Sequence, residues 1–212
     1  CGDKRDSYML GQNFVKNGFD FVAAEYTPNH SKGHVKNIFD DAARCLLYVY
    51  HHRSDYGLEC DKLVLTGDSA GGHIALFLAM MIEDKELANK FGYDFTGIEV
   101  QAVLLNSPVY DFPNIGRNML NKHGLKYLFG DRYDDEYLNN LISPNNYIEK
   151  FNVPIFLSTC KLDFIRGDSL ALFEDLKKYD KIFEFIDIDD VRVGHVHNVI
   201  DPKKSASKLV NR

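Results

Sequence analysis

Short apolar runs alternate along the chain with longer segments in which apolar residues recur at helical spacing. The short runs are typical of buried strands, and they cover residues 19–26, 62–66, 100–106, 154–159 and 181–188. The longer segments are typical of helices with a buried face, and they cover residues 37–51, 71–84 and 168–179. Because strands that alternate with helices pair in parallel, the pattern predicts an α/β fold with a mostly parallel sheet of about five strands and flanking helices.

One segment, residues 113–150, breaks this alternation. It is rich in Asn, Tyr, Asp and Gly, and it is longer than a simple crossover. We therefore expect it to be a small cap or lid inserted over one end of the sheet. No internal repeat or second boundary is visible, so residues 1–212 are expected to form a single domain.

Composition narrows the class of partner. The 25 Lys and Arg residues stand against 31 Asp and Glu residues, which gives a formal charge of −6 and argues against nucleic acid as a partner. No apolar run reaches the roughly 18 residues that a membrane span needs, and no signal-peptide pattern opens the chain. The four cysteines lack metal-binding spacing and are typical of free thiols in a reducing compartment. We therefore expect a cytoplasmic protein without a metal ion or cofactor.

The segment that points to chemistry is Gly67-Asp68-Ser69-Ala70-Gly71, which contains G-x-S-x-G. Alone it is a weak signal, because a chain of this length contains the pattern by chance about 5% of the time. Here a strand precedes it and an apolar helix follows at once, which is the setting of a nucleophile elbow. The alternative is a helix start rich in Gly and Ser that performs no chemistry, and the context disfavours it.

The elbow has a physical rationale. A strand that turns sharply into a helix holds its serine in a strained backbone conformation, and side chains at Gly67 and Gly71 are expected to collide with neighbouring strands. The hydroxyl of Ser69 would then stand at a helix N-terminus, where the dipole and free N–H groups favour negative charge. The N–H of Ala70 is the predicted oxyanion donor.

A serine nucleophile needs a base, which in this arrangement follows the acid in the sequence. The predicted base is His195, in the loop after the last strand. His197 is the close competitor, and His123 lies in the predicted cap, before any acid. The predicted acid is Asp163, just past a strand end, where it would orient the imidazole. One competing acid is Asp168, which is a predicted helix cap. The others belong to the acidic run at a strand end: Asp187, Asp189 and Asp190.

Several of these segments together resemble a known family. Gly67–Ala75 resembles the elbow of α/β-hydrolase esterases of the hormone-sensitive-lipase-like and BD-FAE type, and Asn106–Asp111 looks like the segment after the next strand in that group. Pro154–Asp163 is similar to its acid-bearing stretch, and Gly194–Asn198 resembles its histidine loop, in which an aromatic residue is common at the place of His197. The resemblance covers most of the chain and implies an esterase with Asp163 as acid and His195 as base.

The sequence departs from that family at one point. It has no His-Gly-Gly-Gly stretch, which supplies oxyanion N–H groups in the family, and Cys1–Lys4 looks like the residues just after it. We therefore expect an N-terminally incomplete hydrolase fold in which the runs at 19–26 and 62–66 pair directly, or another chain fills the gap. A missing oxyanion donor typically costs about 10²–10³ in rate, and exposed strand edges favour homo-oligomers.

The sequence thus predicts a serine hydrolase that cleaves small carboxylic esters through an acyl-enzyme on Ser69. The substrate pocket is predicted to include residues next to the nucleophile and after a strand end: Asp68, Tyr110, Asp111 and Phe112. The acyl and alcohol groups stay open. The alternative function is a non-catalytic hydrolase-like domain that binds a small ligand or a partner.

Overall fold

Four parallel strands form the sheet that the computed structural model describes, which covers residues 4–27, 35–58, 62–111 and 140–200. In chain order the strands are β1 (Leu63–Asp68), β2 (Val100–Asn106), β3 (Ile155–Cys160) and β4 (Phe183–Ile188). They lie side by side in that same order, and every neighbouring pair is parallel. The predicted α/β fold with a parallel sheet is therefore confirmed, with four strands among the described residues.

The described residues include six α-helices, three of which lie at nearly the positions predicted for 37–51, 71–84 and 168–179. They are α1 (Tyr8–Lys16), α2 (Val35–His51), α3 (Ala70–Glu83), α4 (Lys85–Phe91), α5 (Arg166–Lys178) and α6 (His197–Ile200). Helix α3 packs against β1 and β2 and is buried along most of its length, as its apolar sequence predicts, while α5 packs against β3. Within the described ranges, no helix is both long enough and apolar enough to cross a membrane.

A single apolar core joins the helices to the sheet. It contains Phe39 of α2, Phe77 of α3, Leu105 of β2, Leu157 of β3 and Leu172 of α5, each almost completely buried. Burying an apolar side chain of this size stabilises the fold by roughly 1.5–3 kcal/mol. This core fixes the positions of the strand ends, from which the candidate site is built.

The predicted strand at residues 19–26 is wrong. These residues form neither a strand nor a buried run, and they do not pair with β1. Instead, the ring of Phe21 stacks on Phe14 of α1 and lies directly over Gly11, and the N–H of Thr27 donates a hydrogen bond to Asp41 of α2. The apolar residues of this segment are therefore used to pack helix α1, which sequence alternation does not distinguish from strand pairing.

The predicted cap lies largely outside the described residues, which omit 112–139. Its last part, residues 140–150, is described and contains a 3₁₀ turn at Pro144–Asn146. Ile142 and Ile148 are fully buried there and belong to the main core. This end of the predicted cap therefore packs into the body of the domain.

Candidate active site

The predicted catalytic residues lie at one edge of the sheet, because parallel strands end on the same side. Ser69 directly follows β1, Asp163 comes three residues after β3, and His195 lies in the loop after β4. Residues distant in the sequence are thus brought to the same edge of the sheet. The edge is the carboxyl side, where α/β proteins bind their ligands.

Ser69 has the strained backbone that a nucleophile elbow requires, with φ of 53° and ψ of −121°. Its N–H donates a hydrogen bond to Asn106 O at 3.1 Å, and its carbonyl oxygen accepts one from Val109 N–H at 3.2 Å. Strain of this kind costs about 1–3 kcal/mol and persists only where surrounding contacts fix the conformation. The bonds to the end of β2 and the loop after it provide that support.

The glycines of the elbow serve different purposes from those predicted. A Cβ at Gly67 would lie 2.3 Å from the backbone of Gly71, and a Cβ at Gly72 would lie 3.0 Å from Pro108. A Cβ at Gly71 would meet nothing within 4 Å. The expected collision at Gly71 is therefore wrong, because the crowding comes from the first turn of α3 and from Pro108 rather than from neighbouring strands.

His195 and Asp163 form a close pair. The imidazole Nδ1 of His195 lies 2.9 Å and 3.0 Å from the two carboxylate oxygens of Asp163. The carboxylate is fully buried, and the imidazole side chain is 16% exposed. Burial raises the pKa of Asp163, but the hydrogen bonds from His195 and the Ile165 N–H outweigh it and hold that pKa below its usual value. The pair therefore has the arrangement of an orienting acid and its base.

The competing acids all have other partners. The carboxylate of Asp168 accepts hydrogen bonds from the N–H groups of Tyr110 and Asp111, at 2.8 Å and 3.4 Å. It therefore fastens the loop after β2 rather than capping α5, whose N-cap is Ile165. Ion pairs occupy the acidic run after β4: Asp187 with Arg166, Asp189 with Lys161, and Asp190 with Arg192. Among these candidates, the Asp163 carboxylate is the one that contacts His195.

The competing histidines are placed differently. His197 is buried as the first residue of α6, and His123 lies outside the described residues. His195 precedes that helix, and the ring of Phe164 packs against its imidazole with 4.3 Å between ring centroids. Phe164 is 56% exposed. The imidazole of His195 is thus hydrogen-bonded through Nδ1 to Asp163 and partly covered by the ring of Phe164.

The nucleophile candidate has no hydrogen bond to this pair. Among the hydrogen bonds of the described residues there is none between Ser69 Oγ and the imidazole of His195. Burial raises the pKa of Asp68, the residue before Ser69, and the charge of His195 partly offsets that rise. Catalytic hydrogen bonds are often long in unliganded enzymes and shorten when substrate binds.

The predicted pocket residues have unequal surroundings. Tyr110 is 1% exposed, and its hydroxyl donates a hydrogen bond to Asp175 Oδ2 at 2.7 Å, so it fastens the loop after β2 to α5. Asp68 and Asp111 are half-buried at the strand ends, and Phe112 lies outside the described residues. Contact of these residues with a substrate stays a prediction.

Sequence reasoning missed two residues of this site. Ser107 lies at the same sheet edge, fully buried with a φ of 48°, and its Oγ has no hydrogen-bond partner among the described residues. The rule that parallel strands end together could have found it, because it directly follows β2. Phe164 could have been found as the neighbour of the acid. Within the described ranges, no group of three or more His, Cys, Asp or Glu residues could hold a metal ion.

Comparison with known proteins shows that the chain is similar to several esterases. The family model described as BD-FAE matches residues 2–165. The chain is 27% identical to Esterase LipQ of Mycobacterium tuberculosis over 159 residues, which cover 74% of this chain and 37% of LipQ. It is 26% identical to the Acetyl esterase of Salmonella paratyphi B over 179 residues, which cover 79% of this chain and 53% of that protein. The chain thus spans about half or less of the length of these curated relatives.

Solved esterase structures share the fold. An inhibited esterase B from Lactobacillus rhamnosis superimposes with a TM-score of 0.85 at 20% identity, covering 100% of this chain and 70% of that one. A thermostable esterase from Pseudomonas putida gives a TM-score of 0.74 at 21% identity, covering 99% of this chain and 67% of that one. At such identities the likeness establishes a common architecture, which is that of the α/β-hydrolase esterases.

Proposed function

The chain belongs to the BD-FAE family, and from that premise we propose that it is a serine hydrolase that cleaves small carboxylic esters. The observation that carries the proposal is the hydrogen-bonded pair of His195 and Asp163, at the same sheet edge as the strained Ser69. A strained serine at the sheet edge that also carries an acid–imidazole pair is the arrangement expected of an activated nucleophile. The esterase names of the curated relatives support the same class of reaction.

The roles follow from the geometry of the pair. Because Nδ1 of His195 faces the carboxylate of Asp163, its proton is held there, and Nε2 is left as the basic nitrogen. Nε2 accepts the Ser69 proton as Oγ attacks the ester carbonyl, and it then returns that proton to the departing alcohol as the carbon–oxygen bond breaks. Water, activated in the same way, hydrolyses the acyl-enzyme and releases the carboxylic acid.

The oxyanion of the tetrahedral intermediate is expected to bind at the N-terminus of α3. Ala70 is the first residue of that helix, so its N–H points out of the helix end, where the dipole favours negative charge. It is the donor that we assign. Loss of an oxyanion donor typically costs about 10²–10³ in rate.

The proposed substrate is a small ester. Asp68, Asp111 and Phe112 are the pocket residues that we carry forward, and the name of the Salmonella relative makes an acetyl ester the first substrate to try. We propose that the protein acts in the cytoplasm and needs neither metal nor cofactor. Association through exposed strand edges stays a prediction.

Turnover of p-nitrophenyl acetate tests the proposal. The Ser69→Ala variant is expected to lose all hydrolysis above background, and a fluorophosphonate is expected to label the unmodified protein at Ser69 alone. Ser54→Ala, which alters an exposed serine in the turn at Arg53–Tyr56, is the matched control and should keep full activity. Undiminished turnover by Ser69→Ala would refute the assignment.

The second candidate function is a non-catalytic domain that binds a ligand or partner. The observation that favours it is the missing hydrogen bond between Ser69 and His195 among the described residues. The fluorophosphonate separates the two candidates, because it reacts only with an activated serine. Folded protein that takes up no label would support the binding domain.

A further inference from the structure

The loop after β2, residues 107–111, bonds directly to the backbone of the candidate nucleophile. The carbonyl oxygen of Ser69 accepts two hydrogen bonds, from the His73 N–H of α3 and from the Val109 N–H of this loop, each at 3.2 Å. The first is the ordinary opening bond of a helix, whereas the second comes from a separate part of the chain. The Ser69 N–H donates to Asn106 O, at the end of β2. Both polar groups of the strained residue are therefore tied to β2 or its loop.

Asp168 of α5 bonds the same loop from its other side. One carboxylate oxygen, Oδ2, accepts hydrogen bonds from the N–H groups of Tyr110 and Asp111, at 2.8 Å and 3.4 Å. Tyr110 directly follows Val109 in the sequence. Because peptide units are planar, only the two backbone torsions of Val109 separate the bond to Ser69 from the bond to Asp168. The position of the carboxylate therefore controls where the Val109 N–H points.

The start of α5 is also bonded to the proposed acid. The Ile165 N–H, at the N-cap of the helix, donates to Asp163 Oδ1 at 2.8 Å, and the Arg166 N–H donates to Asp163 O at 3.2 Å. Asp168 is the third residue of this helix. Its carboxylate thus joins the segment that contains the proposed acid to the loop that bonds the proposed nucleophile.

The chemistry of Asp168 suits this connection. An aspartate in the first turn of a helix usually caps the free N–H groups of its own helix, but this one accepts from another segment. Tyr110 is almost completely buried, so its N–H would be left unpaired without this acceptor. Bonds from an N–H to a charged carboxylate are stronger than those between neutral groups. The carboxylate therefore holds the loop more firmly than a backbone carbonyl would.

We propose that Asp168 is a positioning residue, which holds the loop after β2 where Val109 can bond the carbonyl of Ser69, and thereby keeps the elbow in its strained conformation. Without the carboxylate, the Val109 N–H moves away, and the elbow loses one of the contacts that oppose its strain. A nucleophile held less often in the attacking geometry reacts more slowly. The effect on turnover rests on the proposed function, whereas the effect on the Val109 bond does not.

Three substitutions isolate this role. Asp168→Ala removes the acceptor, while Asp168→Asn keeps a carbonyl oxygen that can accept from the Tyr110 N–H. The matched control is Asp84→Ala. Asp84 is also half-buried, and its Oδ1 accepts from two backbone N–H groups at the start of α4, those of Glu86 and Leu87, at 2.9 Å and 3.1 Å. The control therefore removes the same number of bonds of the same kind without touching the loop after β2.

The first measurement is hydrogen exchange of the Val109 amide by NMR, with the Leu157 amide of β3 as the internal reference. Asp168→Ala is expected to speed exchange at Val109 about tenfold or more relative to Leu157, as for the loss of a hydrogen bond to a charged group. Asp168→Asn and Asp84→Ala should each stay within about twofold of the unmodified protein. Unchanged exchange at Val109 in Asp168→Ala would overturn the proposal. Equal acceleration at both amides would assign Asp168 to global stability alone and would overturn it too.

The second measurement is the kcat of p-nitrophenyl acetate hydrolysis together with the rate of fluorophosphonate labelling. Asp168→Ala is expected to lower both by about tenfold or more, and Asp168→Asn to restore most of the loss. Asp84→Ala should keep both within about twofold. Faster exchange at Val109 without a loss of kcat would show that Ser69 does not depend on the loop, and would overturn the proposal. If Ser69→Ala keeps full activity, the proposed function is overturned, while faster exchange at Val109 still supports the positioning role.

Discussion

The imidazole of His195 lies against the carboxylate of Asp163, with Nδ1 at 2.9 Å and 3.0 Å from its two oxygens, although 32 positions separate the two residues in the sequence. The parallel arrangement of β3 and β4 makes this possible, because their following loops emerge side by side. An ionised carboxylate only accepts hydrogen bonds, so it binds the tautomer that carries the proton on Nδ1, and Nε2 is the basic nitrogen.

Asp163→Asn is expected to remove most of the activity. The amide is nearly the same shape as the carboxylate, but it carries no charge and can present an N–H to the imidazole, which favours the wrong tautomer. We expect kcat for p-nitrophenyl acetate to fall by about 10³–10⁴. Asp189→Asn is the control, because Asp189 is an exposed acid paired with Lys161. Equal losses in the two variants would contradict the assignment of the acid.

Substitutions of His195 and His197 are expected to have different effects on kcat. His195→Gln removes the base and should lower kcat by at least about 10³. His197→Gln changes a buried residue of α6, so it is expected to reduce stability while the folded protein keeps its kcat. Steady-state kinetics of both variants measure kcat, and urea denaturation measures their free energy of unfolding. Loss of kcat in His197→Gln alone would reverse the choice of base.

The elbow glycines are expected to respond unequally to alanine. In Gly67→Ala the new Cβ would overlap the backbone of Gly71, which cannot move without shifting α3, so a loss of about 3 kcal/mol or more in the free energy of unfolding is expected. In Gly71→Ala the Cβ enters open space at the start of a helix, and the free energy should stay within about 1 kcal/mol of its starting value. Urea denaturation measures both. A loss of several kcal/mol in the free energy of unfolding of Gly71→Ala would contradict the absence of contacts around its Cβ.

Acid sensitivity is expected from the buried His73 of α3. Burial lowers its pKa from 6.5 to about 4, and the carbonyl groups of Val109 and Ile142 only partly counteract this. As the pH falls, the unfolded chain therefore binds a proton at His73 before the folded chain does. The free energy of unfolding is thus unaffected by His73 above pH 6.5 and decreases as the pH falls towards 4. Between pH 7 and pH 5 the free energy of unfolding should fall by about 2 kcal/mol through this residue.

His73→Gln tests that expectation. The glutamine amide cannot take up a proton, so the slope of unfolding free energy against pH should be shallower in the variant across the same range. Burial also raises the pKa of Asp68 and Asp168, whose titration acts in the opposite direction. Both groups are present in the two proteins and cancel in the comparison. Identical slopes would contradict a neutral His73.

Local sequence was sufficient to predict the elbow. A strand, a tight turn with glycines and an apolar helix occupy consecutive residues, so the signal for Ser69 is contained in one short segment. The contact between Asp163 and His195 was predictable because strand ends of a parallel sheet lie at one edge, which limited the choice to the loops after β3 and β4. Family resemblance then separated Asp163 and His195 from their neighbours.

Features that depend on distant contacts were not predictable. The run at 19–26 has the apolar content of a strand, yet Phe21 packs on Gly11 and Phe14 instead of entering the sheet. The need for glycine at Gly72 comes from Pro108, which is remote in the sequence. Asp168 has the position and chemistry of a helix cap, and only the fold reveals that it bonds Tyr110.

Two hydrogen bonds join the loop after β2 to α5. The Tyr110 N–H donates one to Asp168, and the Tyr110 hydroxyl donates the other to Asp175, two helical turns further along the same face. The same helix begins three residues after Asp163, the proposed acid. Because these contacts connect the loop, the helix and Asp163, we expect a substitution at the half-buried Asp175 to disturb the surroundings of the proposed acid.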